Sequence, residues 1–489
     1  MKLEKLVEDI QYVLLQGDLS QEVSQIDYDS RQVVENSLFV CISGTKVDGH
    51  RFIPQVIASG AKVIVVEHEV EMVDGVTYIQ VHDARKALAL LSCAFFHHPS
   101  RHMTVIGVTG TKGKTTTTYM LKSILEAAHE KVGIIGTIGS MINGEFEKTM
   151  NTTPESFELQ RLMHKMVEKG CRYCVMEVSS QGLMLNRVAG IDFDYGIFTN
   201  LSPDHIGPYE HHSFEHYLEC KKQLFTMCKI GIFNQDDEHF KEISKDVPCQ
   251  IYTYGVKQTS DLMASHIQLH KGEGRLGVSF EASGMVKGQF ELDMPGEFNV
   301  YNALVAIMVA HFCHIPDEFI HLSLPYIRVL GRAEIVPVSK DYTVIIDFAH
   351  NALSTESILK TIHAYSPSRL VCIYGSVGDR TQVRRAEIGE VVSRLADFSI
   401  LTADNPGHED VHHINLDIIK GIEKHHGEYI EIVDRAEAII YALSNAQKGD
   451  VILLLGKGHE DYQLIGDEHV HFSEKEIIEK YKAQIAVFA

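Results

Sequence analysis

The chain has 489 residues, of which 45% are hydrophobic and 23% are charged. At roughly 100–200 residues per domain, this length predicts about three domains, and the composition is typical of globular proteins. The formal net charge of -21 speaks against a nucleic-acid partner, because a polyanion would be repelled. ATP is not excluded, since backbone amides and a few cations are enough to hold phosphates.

The N-terminal segment predicts an amphipathic first helix rather than a signal peptide, because Glu4, Glu8 and Asp9 alternate with leucine and valine. Apolar runs such as 451–456 fall far short of the ~20 residues that cross a bilayer. We therefore expect a cytoplasmic protein with no membrane contact. The nine cysteines are expected to be reduced structural thiols; the lone CxxC of Cys171 and Cys174 leaves zinc or redox use as a minor alternative.

The predicted elements alternate between strands and helices along the whole chain, which is typical of α/β domains with parallel sheets. The predicted strands lie at 37–42, 62–67, 76–81, 103–108, 131–137, 173–178, 195–200, 342–347, 369–375, 398–404 and 450–456. Boundaries near 101 and 329 predict a first domain over 1–100, a central nucleotide-binding domain over 101–328 and a C-terminal Rossmann-like domain over 329–489.

A glycine-rich segment, GVTGTKGKTT at 107–116, follows a predicted strand and opens a predicted helix. This is the context of a phosphate-binding loop, in which Lys114 would neutralise phosphates and Thr115 would bind Mg²⁺. Val108 stands where the first glycine of the common motif is expected. A glycine turn without a nucleotide is the bland alternative, and the loop alone leaves a motor, a GTPase, a kinase and a ligase open.

Further motifs in a fixed order narrow this choice. They are TTPES at 152–156, MEVSSQGL at 176–183, FTNLSPDHIG at 198–207, GEFNVYNALVA at 296–306, LGRAE at 330–334, DFAHN at 347–351 and GKGHEDYQ at 456–463. Together with the phosphate loop, this set resembles the Mur ligase family over nearly the whole chain. The segments at 29–31, 48–52 and 404–406 resemble the tripeptide-forming members.

The resemblance implies a three-domain architecture with a central P-loop ATPase domain. It also implies an ADP-forming ligase that activates a carboxylate as an acyl phosphate and joins it to an amino acid. The implied acceptor is UDP-MurNAc-L-Ala-D-Glu, in cytoplasmic synthesis of the peptidoglycan precursor for the cell wall, with small-molecule partners only. We expect a monomer.

The resemblance also implies a set of metal-binding and catalytic residues. Thr115, Glu177, His205 and a carbamoylated Lys221 would hold Mg²⁺, and Lys114 and Arg332 would contact phosphates. A structural histidine at 205 and a solvated pair formed by Lys221 and Lys222 are the alternatives. Because Arg332 lies in the third domain, it would act only after domain closure, which would protect an acyl phosphate from water.

Matching positions imply the remaining contacts. The expected ATP-binding residues are Gly110, Thr111, Lys112, Gly113, Lys114, Thr115, Thr116, Asn299, Asn302, Arg332 and Asp347. Those for the UDP-linked acceptor are Ser30, Thr152, Thr153, Ser179 and Arg187, and those for the amino acid are Arg380, Asp404, Asn405, Gly456 and Glu460. The residues alone equally allow a turn and cap at Thr152 and Thr153, and a loop hydroxyl at Ser179.

Gly407 bears on which amino acid is added. Relatives that add meso-diaminopimelate usually have arginine here, where it would grip the distal carboxylate. Glycine cannot do so, and the acidic neighbours Asp404 and Glu409 suit a distal ammonium, so we expect L-lysine slightly ahead of meso-diaminopimelate, with ornithine open.

Histidines 211, 212 and 216 are expected on a polar, exposed helix start rather than in a zinc site, because no cysteine or carboxylate completes a tetrahedral set. The competing functions are a Mur-type paralogue with another carboxylate acceptor, such as a folylpolyglutamate or cyanophycin-like enzyme, and a non-catalytic P-loop nucleotide-binding protein.

Overall fold

The computed structural model describes residues 1–44, 47–204, 206–207, 210–379 and 382–488, with side chains up to residue 484. Two compact units divide the chain, Met1–Asp261 and Leu262–Ala489. Both are built from α/β layers, which confirms the predicted fold class. None of the helices in these described ranges combines the length and the hydropathy needed to span a bilayer.

The first unit contains thirteen of the described strands and eight of the described helices. Its strands are β1 Val13–Gln16, β2 Gln25–Asp27, β3 Ser37–Val40, β4 Val63–Val66, β5 Thr77–Gln80, β6 Thr104–Thr109, β7 Val132–Ile135, β8 Ser140–Ile142, β9 Glu145–Glu147, β10 Tyr173–Glu177, β11 Phe193–Phe198, β12 Cys228–Asn234 and β13 Gln250–Gly255. Its helices are α1 Leu3–Leu6, α2 Ile53–Ala58, α3 Ala84–Phe95, α4 Lys114–Ala127, α5 Ser156–Glu168, α6 Ser180–Met184, α7 Phe214–Lys222 and α8 Phe240–Ile243.

The N-terminal sheet has the order β1-β5-β4-β3-β2 and is parallel except at β1. Strands β3 and β4 are fully buried, so both faces of the sheet are covered, as continuous apolar runs predict. The predicted first helix is shorter than its pattern suggested. It ends at Leu6, and Val13–Gln16 instead pairs with β5 as an edge strand.

The second sheet of this unit is central to the site. Strands β13, β12, β11, β6, β10 and β7 lie side by side and parallel, and β8 and β9 extend the edge beside β7 as antiparallel strands. The carboxyl ends of β6, β10, β7 and β11 therefore meet at one edge. In open α/β sheets this is the edge at which ligands bind.

The second unit holds the remaining described elements. Its strands are β14 Leu262–Gly272, β15 Arg275–Gly284, β16 Gly288–Leu292, β17 Glu334–Val336, β18 Thr343–Asp347, β19 Leu370–Tyr374, β20 Phe398–Leu401, β21 Tyr429–Glu431, β22 Val451–Leu455, β23 Tyr462–Ile465 and β24 Glu468–His471. Its helices are α9 Phe298–Phe312, α10 Asp317–Ser323, α11 Ala352–His363, α12 Val383–Leu395, α13 Val411–Ile422, α14 Arg435–Ser444 and α15 Glu474–Phe488.

This unit combines an antiparallel meander with a doubly wound sheet. Strands β14, β15 and β16 form the meander, which the sequence analysis did not predict. The doubly wound sheet has the order β17-β18-β22-β19-β20-β21 and is parallel except at β17. Its central strand β22 is buried throughout, and apolar clusters fill both of its faces. Strands β23 and β24 form a separate hairpin.

Candidate active site

The phosphate loop connects β6 to α4, as the sequence predicts. Gly110 has φ +148°, and a Cβ there would lie 1.9 Å from Thr199 Oγ1. Gly113 has φ +87° and is the N-cap of α4. Both positions therefore require glycine, for space at Gly110 and for backbone conformation at both. The loop is a small cradle that leads directly into the positive end of a helix, which favours bound anions.

The floor of this cradle carries two lysines. Lys114 Nζ donates to the carbonyl oxygens of Gly110 at 2.8 Å and Thr111 at 3.1 Å. Lys221 Nζ donates to the same Gly110 oxygen at 2.9 Å. The loop is fixed from the other side, where Thr199 Oγ1 donates to Lys112 O at 2.7 Å. Two lysine amino groups thus lie beneath a backbone loop that is held in place from the neighbouring strand.

Glu177 ends β10 and is only 1% exposed. Its Oε1 accepts hydrogen bonds from Thr115 Oγ1 at 2.9 Å and from Thr137 N at 2.9 Å, and its Oε2 accepts one from Thr137 Oγ1 at 3.1 Å. The structure thus brings together Thr115 and Glu177, two predicted Mg²⁺ ligands. Thr137 is a contact that was not predicted from the sequence, although it is the last residue of the predicted strand 131–137 at the same sheet edge.

Lys221 is buried on α7, with 1% of its surface exposed. Burial in the protein interior, followed by repulsion from Lys114, lowers the pKa of Lys221 well below its ordinary value. Its Nζ also lies 4.5 Å from the centre of the Tyr217 ring. A solvated lysine pair is therefore wrong for Lys221, whereas Lys222 is half-buried.

The residues predicted for the UDP-linked acceptor form a network behind Glu177. Thr153 Oγ1 donates to the Glu177 carbonyl at 3.0 Å and accepts from Ser179 N at 2.9 Å. Ser179 caps α6 by accepting from Gly182 N. Arg187 Nη1 donates to Thr153 O at 3.0 Å, and its Nη2 lies 2.7 Å from Glu155. Ser179 is therefore a helix cap at this sheet edge rather than a loop hydroxyl, and the N-cap of α5 is Glu155 rather than Thr152 or Thr153.

Two other predicted acceptor contacts lie at the margins of this network. Thr152 Oγ1 lies 3.0 Å from Thr137 Oγ1, which in turn donates a hydrogen bond to the Glu177 carboxylate. Ser30 is half-buried in the loop after β2, between Asp29 and Arg31, which pair with each other at 2.6 Å. Thr152 thus joins the sheet edge, whereas Ser30 belongs to the N-terminal sheet.

Four predicted nucleotide contacts lie in the second unit. Asn299 and Asn302 are buried on α9, where Asn302 Nδ2 donates to Asn299 Oδ1 at 3.1 Å. Asp347 ends β18 and accepts from the backbone N–H groups of Ala333 and Ala349; burial raises its pKa, and Arg332 opposes that rise. The Arg332 guanidinium lies over the Phe348 ring at 4.9 Å. Its buried Nε has no hydrogen-bond partner in the described part of the chain.

The amino-acid residues meet at the carboxyl ends of β20 and β22. Asn405 Nδ2 donates to Glu460 Oε2 at 2.9 Å. Gly456 has φ +106°, and a Cβ there would lie 2.4 Å from Asp404 Oδ2. Lys457, which the sequence analysis missed, is 0% exposed and donates to Asn405 Oδ1 at 2.7 Å and to Glu460 Oε2 at 2.9 Å. Lys457 lies within the motif GKGHEDYQ at 456–463, and its place in that motif is the sequence signal that could have identified it.

The surroundings of Gly407 weaken the argument for a distal ammonium. Lys457 Nζ lies 3.9 Å from Asp404 Oδ1, and Arg385 Nη2 lies 2.7 Å from Glu409 Oε1. Both carboxylates that were expected to attract an ammonium already have a cation beside them. Gly407 itself has φ +57°, and a Cβ there would lie 2.2 Å from Asp379 Oδ2.

Several expectations fall elsewhere. His205 and Arg380 lie outside the described residues. Thr116 is buried in the first turn of α4. The expectation of an exposed position is wrong for His211, which is 0% exposed, because the chain folds it under α7 against Ser180. Cys171 and Cys174 are buried free thiols, as expected.

Three family models match the chain in order. The Mur ligase family catalytic domain matches residues 22–96, the Mur ligase middle domain matches 108–310, and the Mur ligase glutamate ligase domain matches 331–458. Together they cover most of the chain, including the loop residues 110–116, Glu177 and Asn405.

Curated relatives match over nearly their full length. UDP-N-acetylmuramoyl-L-alanyl-D-glutamate--2,6-diaminopimelate ligase of Clostridium perfringens is 39% identical over 98% of this chain and 99% of its own. The ligase of the same name from Caldanaerobacter subterraneus is 41% identical over 99% of both chains.

Solved structures agree with this fold. A structure of a UDP-N-acetylmuramoyl-L-alanyl-D-glutamate--2,6-diaminopimelate ligase superposes with a TM-score of 0.73 at 25% identity and covers 99% of both chains. The MurF ligase of Thermotoga maritima in complex with ADP shares the fold with a TM-score of 0.60 at 18% identity, over 97% of this chain and 100% of its own. On the near-complete match to these relatives and to all three family models, the chain belongs to the Mur ligase family and is an ATP-dependent, ADP-forming acid–amino-acid ligase.

Proposed function

We propose that the chain joins meso-diaminopimelate to UDP-MurNAc-L-Ala-D-Glu, with cleavage of ATP to ADP and phosphate, in cytoplasmic synthesis of the peptidoglycan precursor. The observation that carries the proposal is the meeting of the phosphate loop, Glu177 and the buried Lys221 at one sheet edge. The names of the near-full-length relatives support the two substrates.

The chemistry has two steps. The acceptor carboxylate attacks the γ-phosphorus of ATP, which forms an acyl phosphate and releases ADP. The amine of the incoming amino acid then attacks the acyl carbon, phosphate leaves, and the amine proton passes to solvent or a base. Because anions must approach one another in the first step, positioning and charge neutralisation dominate catalysis. Lys114 beneath the loop supplies part of that neutralisation.

Magnesium fits the donor set beside the loop. The Thr115 hydroxyl and the Glu177 carboxylate are hard oxygen ligands, 2.9 Å apart, at the start of α4. Oxygen donors of this kind suit Mg²⁺, which usually keeps several waters and binds nucleotide phosphates. The bound ion would shield the phosphate charge. His205 stays a proposed ligand by family resemblance.

Carbamoylation of Lys221 is also a proposal. Burial lowers the pKa of the Lys221 amine and so favours its neutral form, and only a neutral amine adds to CO₂. The nitrogen would bond to the carbon of CO₂ and lose a proton, leaving a carbamate. Lys221 would thereby change from a buried amine to an oxygen ligand at the same sheet edge.

The remaining contacts are proposed by the same resemblance. We place ATP on the loop residues 110–116 and on Asn299, Asn302, Arg332 and Asp347. The UDP-linked acceptor would contact Ser30, Thr152, Thr153, Ser179 and Arg187, and the amino acid would contact Arg380, Asp404, Asn405, Gly456 and Glu460. We likewise propose domains over 1–100, 101–328 and 329–489, and a monomer.

The expected preference for lysine gives way to meso-diaminopimelate for two reasons. The carboxylates of Asp404 and Glu409 already have cationic neighbours, so neither is free to recruit a distal ammonium. The relatives at 39–41% identity are named as diaminopimelate ligases. Gly407 still stands where a diaminopimelate-adding enzyme is expected to have arginine. We therefore predict only a modest selectivity for meso-diaminopimelate over lysine.

The test is a competition between amino acids. Purified protein with Mg²⁺-ATP and UDP-MurNAc-L-Ala-D-Glu receives equimolar meso-diaminopimelate, L-lysine and L-ornithine, and mass spectrometry identifies the amide formed. A diaminopimelate product in excess supports the proposal, and a lysine product in excess overturns the amino-acid assignment. Turnover only with another acceptor, such as a folate, would favour the paralogue hypothesis.

A further inference from the structure

A histidine and cysteine cluster lies on α7 and on the segment just before it, outside the residues assigned above to ATP and the substrates. His211, His216 and Cys220 each offer one ligand atom, and these atoms all lie within 4.8 Å of one another. His211 is 0% exposed and Cys220 is 2% exposed, while His216 is half-buried. Cys220 is the cysteine whose apparent absence argues against zinc when only the sequence spacing of the three histidines is considered.

Helix geometry explains why the cluster forms. His216 and Cys220 are four residues apart on α7, so they lie on the same face of the helix. Ser213 caps the helix and turns the preceding segment, which brings His211 against that face from outside the helix. The three side chains thus come from one fixed helix and one short, capped connection.

The side-chain contacts favour a ligand over a closed hydrogen-bond network. His216 Nδ1 is buried, and no described residue offers it a hydrogen-bond partner. His211 Nε2 lies 2.8 Å from Ser180 Oγ, the kind of outer contact that orients a metal-binding imidazole. Bringing the atoms to tetrahedral separations of roughly 3.4–3.6 Å requires shifts of only about 1 Å, given zinc bonds of 2.0–2.3 Å.

A second cluster differs from this one because its own hydrogen bonds explain why its side chains lie together. Asp48, His50 and His68 also fulfil the distance condition. There, however, His50 Nδ1 lies 2.6 Å from Asp48, and His50 Nε2 accepts from Glu67 N at 3.1 Å. Both nitrogens of that imidazole are engaged, so the structure itself accounts for the cluster.

We propose that His211, His216 and Cys220 form a binding site for a borderline-soft divalent cation of the Zn²⁺ class, with a fourth position open to solvent. Two imidazoles and a thiolate select such a cation over Mg²⁺, which prefers oxygen ligands. The cation replaces the thiol proton, which leaves to solvent. The site is independent of the proposed substrates.

Occupancy of this site has a mechanical consequence. Cys220 precedes Lys221 on α7, and His211 contacts α6 through Ser180. A bound ion would therefore tie the helix that presents Lys221 to its neighbour. We expect Zn²⁺ to raise the melting temperature of the first unit.

The test uses the full, reduced chain in excess Mg²⁺ with Co²⁺ as a spectroscopic probe. A thiolate-to-cobalt charge-transfer band at one equivalent, abolished by Zn²⁺, is expected. The change Cys220→Ala should remove the band, and His216→Ala should weaken Co²⁺ binding about tenfold or more, since even outer support of a metal ligand is worth that much. His102→Ala is the matched control, because His102 is an exposed histidine of the first unit and lies outside the set.

Absence of the band in the unchanged protein, or its persistence in Cys220→Ala, would overturn the proposal. Circular dichroism checks that each variant is folded. A second measurement needs no variant: in mild denaturant, where local opening exposes the otherwise buried Cys220, Zn²⁺ should slow its labelling by a thiol-alkylating reagent, as mapped by peptide mass spectrometry. Equal labelling of Cys220 with and without Zn²⁺ also counts against the site.

Discussion

Replacing Lys457 by methionine is expected to destabilise the second unit strongly. This lysine is 0% exposed, and its Nζ lies 2.7 Å from Asn405 Oδ1, 2.9 Å from Glu460 Oε2 and 3.9 Å from Asp404 Oδ1. Methionine keeps much of the apolar stem but leaves two carboxylates without their shared cation. Breaking a buried ion pair from one side costs about 3–5 kcal/mol, and we expect a loss in that range.

The matched control is Lys424→Met. Lys424 and Glu390 also pair at 2.8 Å, but their side chains are 57% and 38% exposed. An exposed pair is worth about 0–1 kcal/mol, so this variant should stay within about 1 kcal/mol of the original protein. Denaturant unfolding followed by circular dichroism measures both, because the chain has no tryptophan to report by fluorescence.

A double variant separates charge from packing. Lys457→Met combined with Glu460→Gln removes one of the stranded carboxylates, so it should be less destabilised than Lys457→Met alone. If Lys457→Met unfolds within about 1 kcal/mol of Lys424→Met, the buried network does not support this unit and the reasoning fails.

Three further changes test the site. Gly110→Ala should abolish ADP release, because the backbone of Gly110 has φ +148° and a Cβ has no room there. Gly144→Ala is the control and should keep activity, because Gly144 has φ +84° but open space around it. A coupled ADP assay compares the two variants. Glu177→Gln should lower ADP release by roughly 10²–10³-fold with little change in melting temperature, and near-normal turnover would exclude its role. Burial raises the pKa of Asp347 above 3.8, so the charged form opposes folding. Denaturation experiments compare the unfolding free energies of the original protein and of Asp347→Asn at several pH values. As the pH rises from about 4 through the raised pKa, the original protein should lose stability relative to the variant. A gain in its relative stability would contradict this.

Most central strands of the parallel sheets were predictable from the sequence because they are buried on both faces, whereas the partly exposed parallel strands β2, β12, β13 and β21 were not predicted. Runs such as 173–178 and 450–456 are continuously apolar, and each forms a strand within a residue or two of its predicted limits. The meander β14–β16 was missed because half of its side chains face outward, so its pattern lacks such a run. These strands are defined instead by antiparallel backbone pairing with one another, which the local sequence pattern does not show.

Some residues of the site were harder to predict from the sequence. The sequence placed Glu177 and Thr115 at strand and helix ends, where the sheet topology brings them together. Thr137 and Lys457 are linked to the predicted residues only through side-chain contacts between distant segments. Cys220 shows the same limit, since its partner His211 is nine positions away and meets it only after the chain turns into α7. Spacing alone does not report such a turn.

The most direct test of the central claim is ADP release measured with Mg²⁺-ATP and each combination of acceptor and amine. We predict sustained release only when UDP-MurNAc-L-Ala-D-Glu and meso-diaminopimelate are both present, with one amide formed per ADP. Release that continues at the same rate without the acceptor or without the amine would contradict the account, because the two half-reactions would then not be coupled.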